Sequence, residues 1–155
     1  MASVDGHSDL MLTWKTRLLV LVVVCVLLPG CGASRHTTSP DAATVHVTER
    51  DFHIATSTQH VRAGVVDLSV HNQGPDDHEL IVVREHPGTP LPMRTDGVTL
   101  NEEQLMPVKI GGLEPGRPGS VRRLRLHLAP GRYVMFCNMA GHYLGGMHTD
   151  LVVGP

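Results

Sequence analysis

The sequence predicts an all-β domain, an antiparallel sandwich or barrel, and two observations carry that prediction. Apolar residues alternate with polar ones at a period of two, as where Leu124, Leu126 and Leu128 are separated by Arg125 and His127. Segments rich in Gly and Pro separate these short runs and are typical of turns. Short alternating runs divided in this way indicate strands joined by turns, not helices.

Six strands follow from this pattern in chain order. Alternation and apolar runs place them at 44–55, 66–70, 80–83, 121–128, 131–136 and 149–153. The run at 80–83 is continuously apolar, which fits a strand that is buried on both faces. The stretch 84–104 is rich in Pro and acidic residues, so we expect a long loop there, with one short helix near 101–105.

An export signal precedes this domain. Lys15 and Arg17 come before an unbroken apolar run from Leu18 to Leu28, which is typical of a secretory leader. The run is shorter than the about 20 apolar residues that a transmembrane helix needs, although an uncleaved membrane anchor stays the alternative. We therefore predict a signal peptide over 1–30, whether translation starts at Met1 or at Met11.

The end of the leader, Leu28-Pro29-Gly30-Cys31, resembles the lipobox of bacterial lipoproteins, in which the cysteine becomes the lipidated first residue. Pro29 departs from the small or aliphatic residue that is usual at its position. The resemblance implies that a lipid on Cys31 anchors the chain to the outer face of the cell membrane, on the periplasmic or cell-surface side. The small, polar residues that follow predict a flexible tether over 31–43, which leaves 44–155 as the domain.

Charge and cysteine content narrow the function classes. Lysines and arginines number 13 and acidic residues 15, so the net charge is −2 and no nucleic-acid-binding surface is expected. Of the three cysteines, Cys25 lies in the leader and Cys31 would carry lipid, so Cys137 has no partner for a disulfide. The Cys137 thiol of an exported domain therefore needs another role.

A metal-binding pattern follows the predicted strand at 131–136. Cys137, His142 and Met147 are each separated by four residues, with Gly141 and Gly145 among them. Sulfur donors of Cys and Met suit copper, and imidazole binds both copper oxidation states. Glycines allow the tight backbone turns that a loop needs to fold around one ion.

A second imidazole must come from elsewhere, and His78 is the best candidate. It follows a Gly-Pro turn and opens the apolar run at 80–83, so its ring can lie at one end of a sandwich. The chain has 11 histidines, which weakens any single assignment. For the other candidates a solvated side chain is the simpler interpretation; these are His46, His53, His71, His86, His127 and His148.

Two spacings, NxGxxxH from Asn72 to His78 and CxxxxHxxxxM from Cys137 to Met147, resemble those of the cupredoxins, the type 1 blue-copper proteins. The long ligand loop is similar to that of the rusticyanin and auracyanin branch. The resemblance implies a Greek-key β-sandwich with one type 1 copper ion at one end. It also implies His78, Cys137 and His142 as the trigonal ligands, with Met147 as the weak axial donor.

One position departs from the family pattern. Many cupredoxins have Asn directly after the first histidine, where its side chain ties the two ligand loops together. This chain has Glu79 there, and Asp76 and Asp77 precede His78. Acidic groups near a ligand affect the electronic properties of the metal.

The resemblance implies a one-electron carrier outside the cytoplasm, and not an enzyme, because four protein donors leave no position for a substrate. A redox partner would dock near His142, where Met139, Ala140, Tyr143 and Leu144 could form an apolar patch, although Tyr143 and Leu144 could equally cap the core. We expect a monomer. Two alternatives stay open: a copper-binding protein for delivery or resistance, and a zinc site on Cys137, His78 and His142.

Overall fold

A computed structural model describes residues 42–155, so the predicted leader, the lipobox with Cys31 and nearly all of the tether lie outside the described residues. Nine strands and two short helices make up the described part. The strands are β1 (Ala43–Arg50), β2 (His53–Thr56), β3 (His60–Arg62), β4 (Gly64–Asn72), β5 (His78–Arg84), β6 (Lys109–Gly116), β7 (Val121–Leu128), β8 (Gly131–Phe136) and β9 (His148–Gly154). A helix, α1 (Glu102–Leu105), leads into a 3-10 turn at Met106–Val108.

The strands form two sheets, one with the order β2-β1-β4-β7 and the other with the order β3-β9-β8-β5-β6. Apolar side chains from both sheets share one buried cluster, to which β4 contributes Val66, Leu68 and Val70 and β8 contributes Tyr133 and Met135. In β4 the alternate positions carry the polar Asp67, Ser69 and His71, because successive side chains point to opposite faces of a sheet. In β8 the opposite face is apolar as well, since Val134 and Phe136 are buried in a second cluster. The predicted all-β sandwich is confirmed. Pairing is mostly antiparallel, but β1 pairs with β4 and β3 pairs with β9 in parallel.

The single strand predicted at 44–55 is wrong. The structure has a hairpin there, in which Arg50 of β1 pairs with His53 of β2 and Asp51 and Phe52 form the turn. Phe52 adopts φ 59°, a left-handed conformation that is uncommon for residues other than Gly, Asn and Asp. The sequence contains no Gly or Pro at this turn, so nothing in the pattern indicated it.

Two strands were not predicted. β3 has three residues, too few for an alternating pattern. β6 contains Pro115 and glycines at 111, 112 and 116, which are typical of turns. It lies at the edge of its sheet and pairs only with β5, and edge strands tolerate Pro and Gly better than central strands.

The sheet topology brings two of the predicted metal ligands to one end of the sandwich. β5 and β8 are antiparallel neighbours, with Ile81 opposite Phe136, so the start of β5 lies beside the end of β8. His78 is the first residue of β5, and Cys137 directly follows β8. Of the residues that the structure describes, none belongs to a helix long and apolar enough to cross a membrane.

The predicted loop over 84–104 contains the predicted short helix at its end. Asn101 caps α1, its side chain accepting a hydrogen bond from the backbone N–H of Gln104 at 3.2 Å. Leu100 and Leu105 are buried in a second apolar cluster, together with Phe136 of β8. The loop therefore packs against the strand that leads to Cys137.

Candidate metal centre

Three of the four predicted ligands lie together. The donor atoms of His78, Cys137 and His142 are all within 4.8 Å of one another. His142 Nδ1 lies 3.5 Å from Cys137 Sγ, and the two imidazole rings are 5.2 Å apart between centroids. One thiol and two imidazoles thus surround a single point, although they come from segments far apart in the sequence.

His78 differs from the other described histidines because its side chain is completely buried. Neither ring nitrogen makes a well-directed hydrogen bond, although Nε2 lies 3.0 Å from Asp51 Oδ1. Burial, reinforced by the nearby His142, lowers the pKa of His78. A neutral imidazole is the form that binds a metal ion, so the environment of His78 favours the ligand state.

Cys137 is also fully buried, and the backbone fixes its position. Its N–H donates to the carbonyl of Met147 at 3.1 Å, which joins the two ends of the ligand loop. Burial raises the pKa of the Cys137 thiol. A cation in contact with the sulfur would lower this pKa, because its charge stabilises the thiolate, which is the form that binds a metal.

Hydrogen bonds within the loop bring His142 and Met147 close to Cys137. The backbone N–H of His142 donates to the carbonyl of Met139, and the N–H of Met147 donates to the carbonyl of His142, each at 2.9 Å. Gly141 and Gly146 have φ of 81° and 104°, conformations that residues with a Cβ rarely adopt. Gly141, which the sequence pattern singled out, and Gly146 therefore make this turn possible.

Met147 is fully buried and shares the main apolar cluster with Cys137. This burial fits both an axial donor and a residue that only fills the core. Its axial coordination stays a prediction.

The motif from Asn72 to His78 has a direct structural explanation. The buried Asn72 side chain donates to the carbonyls of Asp76 and Gly116, each at 2.8 Å, and accepts from the N–H of Gly74 at 2.9 Å. A Cβ on Gly74 would lie 2.7 Å from His78 Nε2, so only glycine fits there without displacing the ring. Asn72 and Gly74 therefore place the His78 ring at the end of the sandwich.

Glu79 occupies the position where many cupredoxins have Asn, and its carboxylate reaches the ligand loop. Glu79 Oε1 accepts a hydrogen bond from the backbone N–H of Asn138 at 3.1 Å. The Asn138 side chain in turn pairs with Leu100, accepting from its N–H at 2.6 Å and donating to its carbonyl at 3.1 Å. These contacts link β5, the ligand loop and the loop over 84–104.

Sequence reasoning missed Asp51 and Asn138 as neighbours of the ligands. The signal for Asn138 was present, since it directly follows Cys137. Asp51 lay inside what looked like one continuous strand. The remaining candidate histidines are exposed or half-buried and lie outside the cluster, as expected for solvated side chains: His46, His53, His71, His86, His127 and His148.

The surroundings of His142 are partly apolar. Leu144 is 58% exposed, whereas the Tyr143 ring packs edge-on against Phe136 at 5.7 Å between centroids. Of the two residues, Tyr143 therefore caps the core and Leu144 faces solvent. Phe52 adds an unpredicted aromatic ring, 51% exposed, at 5.4 Å from the His142 ring centroid.

The donor set fits a type 1 copper ion, as predicted. Both buried His78 nitrogens lack a well-directed hydrogen bond, which is costly unless another group satisfies them. One thiolate with two imidazoles matches the trigonal arrangement of blue-copper sites. His78, Cys137 and His142 would hold the ion, and the buried Met147 belongs to the same loop as Cys137 and His142.

Comparisons with known proteins agree with this fold. No protein-family model matches the sequence, and no curated protein matches it. Among solved structures, auracyanin B shares 25% identity over 74% of this chain and 90% of its own length, with a TM-score of 0.57. Dithionite-reduced auracyanin from Roseiflexus castenholzii shares 18% identity over 74% of this chain and 98% of its own, with a TM-score of 0.53. Reduced rusticyanin shares 19% identity over 73% of this chain and 81% of its own length, with a TM-score of 0.54. The chain therefore has the cupredoxin fold.

Proposed function

We propose that this cupredoxin-fold chain is a type 1 copper protein that carries single electrons outside the cytoplasm. The observation that carries the proposal is the assembled donor set, in which the donors of His78, Cys137 and His142 lie within 4.8 Å of one another. Copper held by this soft ligand set would supply a one-electron couple between Cu(I) and Cu(II). Three donors from the folded chain, with Met147 beside them, leave no position for a substrate, so we propose a carrier and not an enzyme.

The rigidity of the site supports electron transfer. His78 and Cys137 are fully buried, and hydrogen bonds that Asn72 donates and Glu79 accepts fix the segments that carry them. Ligands that are held in place by the surrounding structure move little when the charge at the site changes. Small movement means a small reorganisation cost in each electron transfer.

We further propose that electrons enter and leave at His142. This imidazole is half-buried, whereas His78 and Cys137 are sealed from solvent. The exposed Phe52 packs against its ring, and the exposed Leu144 lies two residues further along the loop. Exposed apolar patches often mark contact sites. A redox partner protein would dock there as a brief contact, with the chain itself a monomer.

The sequence features before the described residues support the location. The apolar leader predicts export, and the lipobox at Cys31 predicts a lipid anchor at the outer face of the cell membrane. The second candidate, copper delivery or resistance, would favour an exposed and easily released ion. The burial of His78 and Cys137 supports retention instead.

A copper titration of the full chain tests the proposal. Cu(II) should give an intense visible charge-transfer band from the Cys137 thiolate, and Cys137→Ser should abolish it. His78→Gly should weaken the band, and added imidazole should restore it, whereas the exposed His148→Gly serves as the matched control and should leave the band unchanged. A band that survives Cys137→Ser contradicts the copper assignment.

A second measurement separates the two functions. The copper-loaded chain should exchange electrons rapidly with a small redox reagent and keep its copper against a chelator. Slow exchange together with fast loss of copper would favour delivery.

A further inference from the structure

The turn between β1 and β2 reaches both imidazoles. It consists of two residues, Asp51 and Phe52, because Arg50 pairs with His53. Asp51 Oδ1 lies 3.0 Å from Nε2 of His78, and the Phe52 ring packs edge-on against His142. Neither residue belongs to the two segments that supply the ligands, so the hairpin is a third element of the site.

The contact between Asp51 and His78 is enclosed. The Asp51 side chain is 28% exposed, but its Oδ1 atom is buried and has no well-directed hydrogen bond to another group. Gly74 covers the pair, since a Cβ on Gly74 would lie 2.7 Å from His78 Nε2 and 2.8 Å from Asp51 Oδ1. Water therefore has little access to the space between the carboxylate and the ring.

The geometry leaves one nitrogen of His78 for a metal ion. With Nε2 beside Asp51, Nδ1 is the nitrogen without a nearby carboxylate, and it is buried. A carboxylate beside the second nitrogen of a ligating imidazole fixes both the ring orientation and the tautomer, and it raises the basicity of the ligand.

We propose that Asp51 is a positioning residue for His78, whose carboxylate holds the proton on Nε2 and whose negative charge favours Cu(II) over Cu(I). The inference rests on the proposed copper function. The two atoms are already 3.0 Å apart, so the hydrogen bond needs only a better alignment of Nε2 with Oδ1. The charge lies one imidazole ring away from the ion, where little solvent screens it.

The backbone of the turn supports this role. Phe52 keeps a left-handed φ of 59°, a conformation that is strained for a residue other than Gly, Asn or Asp. Strained residues persist where the surrounding structure holds them, and they cluster at functional sites. The strained turn sets the direction in which the preceding Asp51 approaches His78.

Two variants separate orientation from charge. Asp51→Asn keeps an oxygen that can accept from Nε2 but removes the charge, whereas Asp51→Ala removes both. Asp77→Asn is the matched control, because it makes the same change of charge at an exposed position near His78.

The first measurement needs no copper. Nitrogen NMR of the full apoprotein in alkaline buffer should show His78 protonated at Nε2 in the parent chain and in the Asn variant. In Asp51→Ala the proton should be distributed over both ring nitrogens. An unchanged tautomer in Asp51→Ala would overturn the positioning role, whatever the metal chemistry of the site.

The second measurement uses the copper-loaded chain. Asp51→Asn should lose about tenfold in Cu(II) affinity relative to Cu(I), which raises the reduction potential by about 59 mV. Asp77→Asn should change the potential much less, because solvent screens an exposed charge. Equal potentials in the two variants would overturn the electrostatic role of Asp51. A parent chain that binds no copper would instead contradict the proposed function and leave the NMR result standing.

Discussion

The Glu79 carboxylate accepts a hydrogen bond from the backbone N–H of Asn138 at 3.1 Å, so the residue after one ligand is tied to the residue after another. A carboxylate thus makes the connection that an amide side chain makes in many cupredoxins. Burial and the nearby Glu102 raise the pKa of Glu79. This hydrogen bond therefore places an ionisable carboxyl group between β5 and the ligand loop.

Replacement of Glu79 should show that its oxygen matters more than its charge for stability. Glu79→Ala leaves the nearly buried N–H of Asn138 without an acceptor, which should cost about 1–3 kcal/mol of unfolding free energy. Glu79→Gln keeps an acceptor oxygen and should cost much less. Chemical denaturation of the apoproteins measures both, with the exposed Glu103→Ala as control. Equal losses in the Ala and Gln variants would contradict the role of the hydrogen bond.

Met147 should tune the reduction potential without being needed to hold copper. Gln supplies a harder oxygen that favours Cu(II), so Met147→Gln should lower the potential, and Met147→Leu removes the donor and should raise it. Both variants should keep their colour, because three ligands remain. Redox titration measures the potentials, with Met139→Leu as control. If Met147 only fills the core, Met147→Leu costs under about 1.5 kcal/mol and both potentials stay the same.

Substitutions at Phe52 should reveal the backbone strain of the turn. Asn adopts the left-handed conformation readily and Ala does not, while both remove the aromatic ring. Phe52→Asn should therefore be more stable than Phe52→Ala by about 1 kcal/mol. Urea denaturation of the two apoproteins gives the comparison. Equal midpoints would mean that the turn relaxes and that no strain is stored at this residue.

Glu49 should make stability depend on pH. Its side chain is fully buried, and burial raises its pKa from 4.5 to about 7 despite the Arg122 guanidinium 2.5 Å away. The native state therefore keeps a proton that the unfolded chain releases above pH 4.5. The contribution of this proton to the free energy of unfolding is fully present below pH 4.5 and is lost as pH rises through about 7. The loss amounts to about 3 kcal/mol.

The apoprotein with Glu49→Gln is the control for this prediction, since it cannot titrate at this position. The parent chain should lose unfolding free energy relative to the variant between pH 4.5 and 7, while other groups cancel in the comparison. A constant difference between the two proteins would show that Arg122 keeps Glu49 ionised throughout.

Lipidation of Cys31 is testable by fractionation of cells. Anchoring by more than one acyl chain is far firmer than by a single chain, so the parent chain should remain with membranes. Cys31→Ala should move the protein to the soluble fraction, whereas Cys25→Ala within the leader should not. A Cys31→Ala variant that stays in membranes would indicate an uncleaved anchor.

The sequence predicted the parts of the fold and site that depend on local pattern. Alternation located β7 and β8 at the observed bounds, and the spacing of Cys137, His142 and Met147 located the ligand loop. Long-range contacts left no local signal. Asp51 approaches His78 only because a turn without Gly or Pro folds β2 back, and Glu79 reaches Asn138 only through the pairing of β5 with β8.

The parallel pairing of β3 with β9 has a consequence for the order of events after synthesis. It joins His60 to Val152, near opposite ends of the domain, and the pairing of β5 with β8 likewise spans a long stretch of chain. Folds dominated by such distant pairings close slowly, on a scale of about milliseconds to seconds. His78 and Cys137 meet only when β5 lies beside β8, so a newly made chain has no complete copper site until its sheets have closed. If the chain has the proposed function, the time it needs to become a carrier therefore includes the time in which its sheets close.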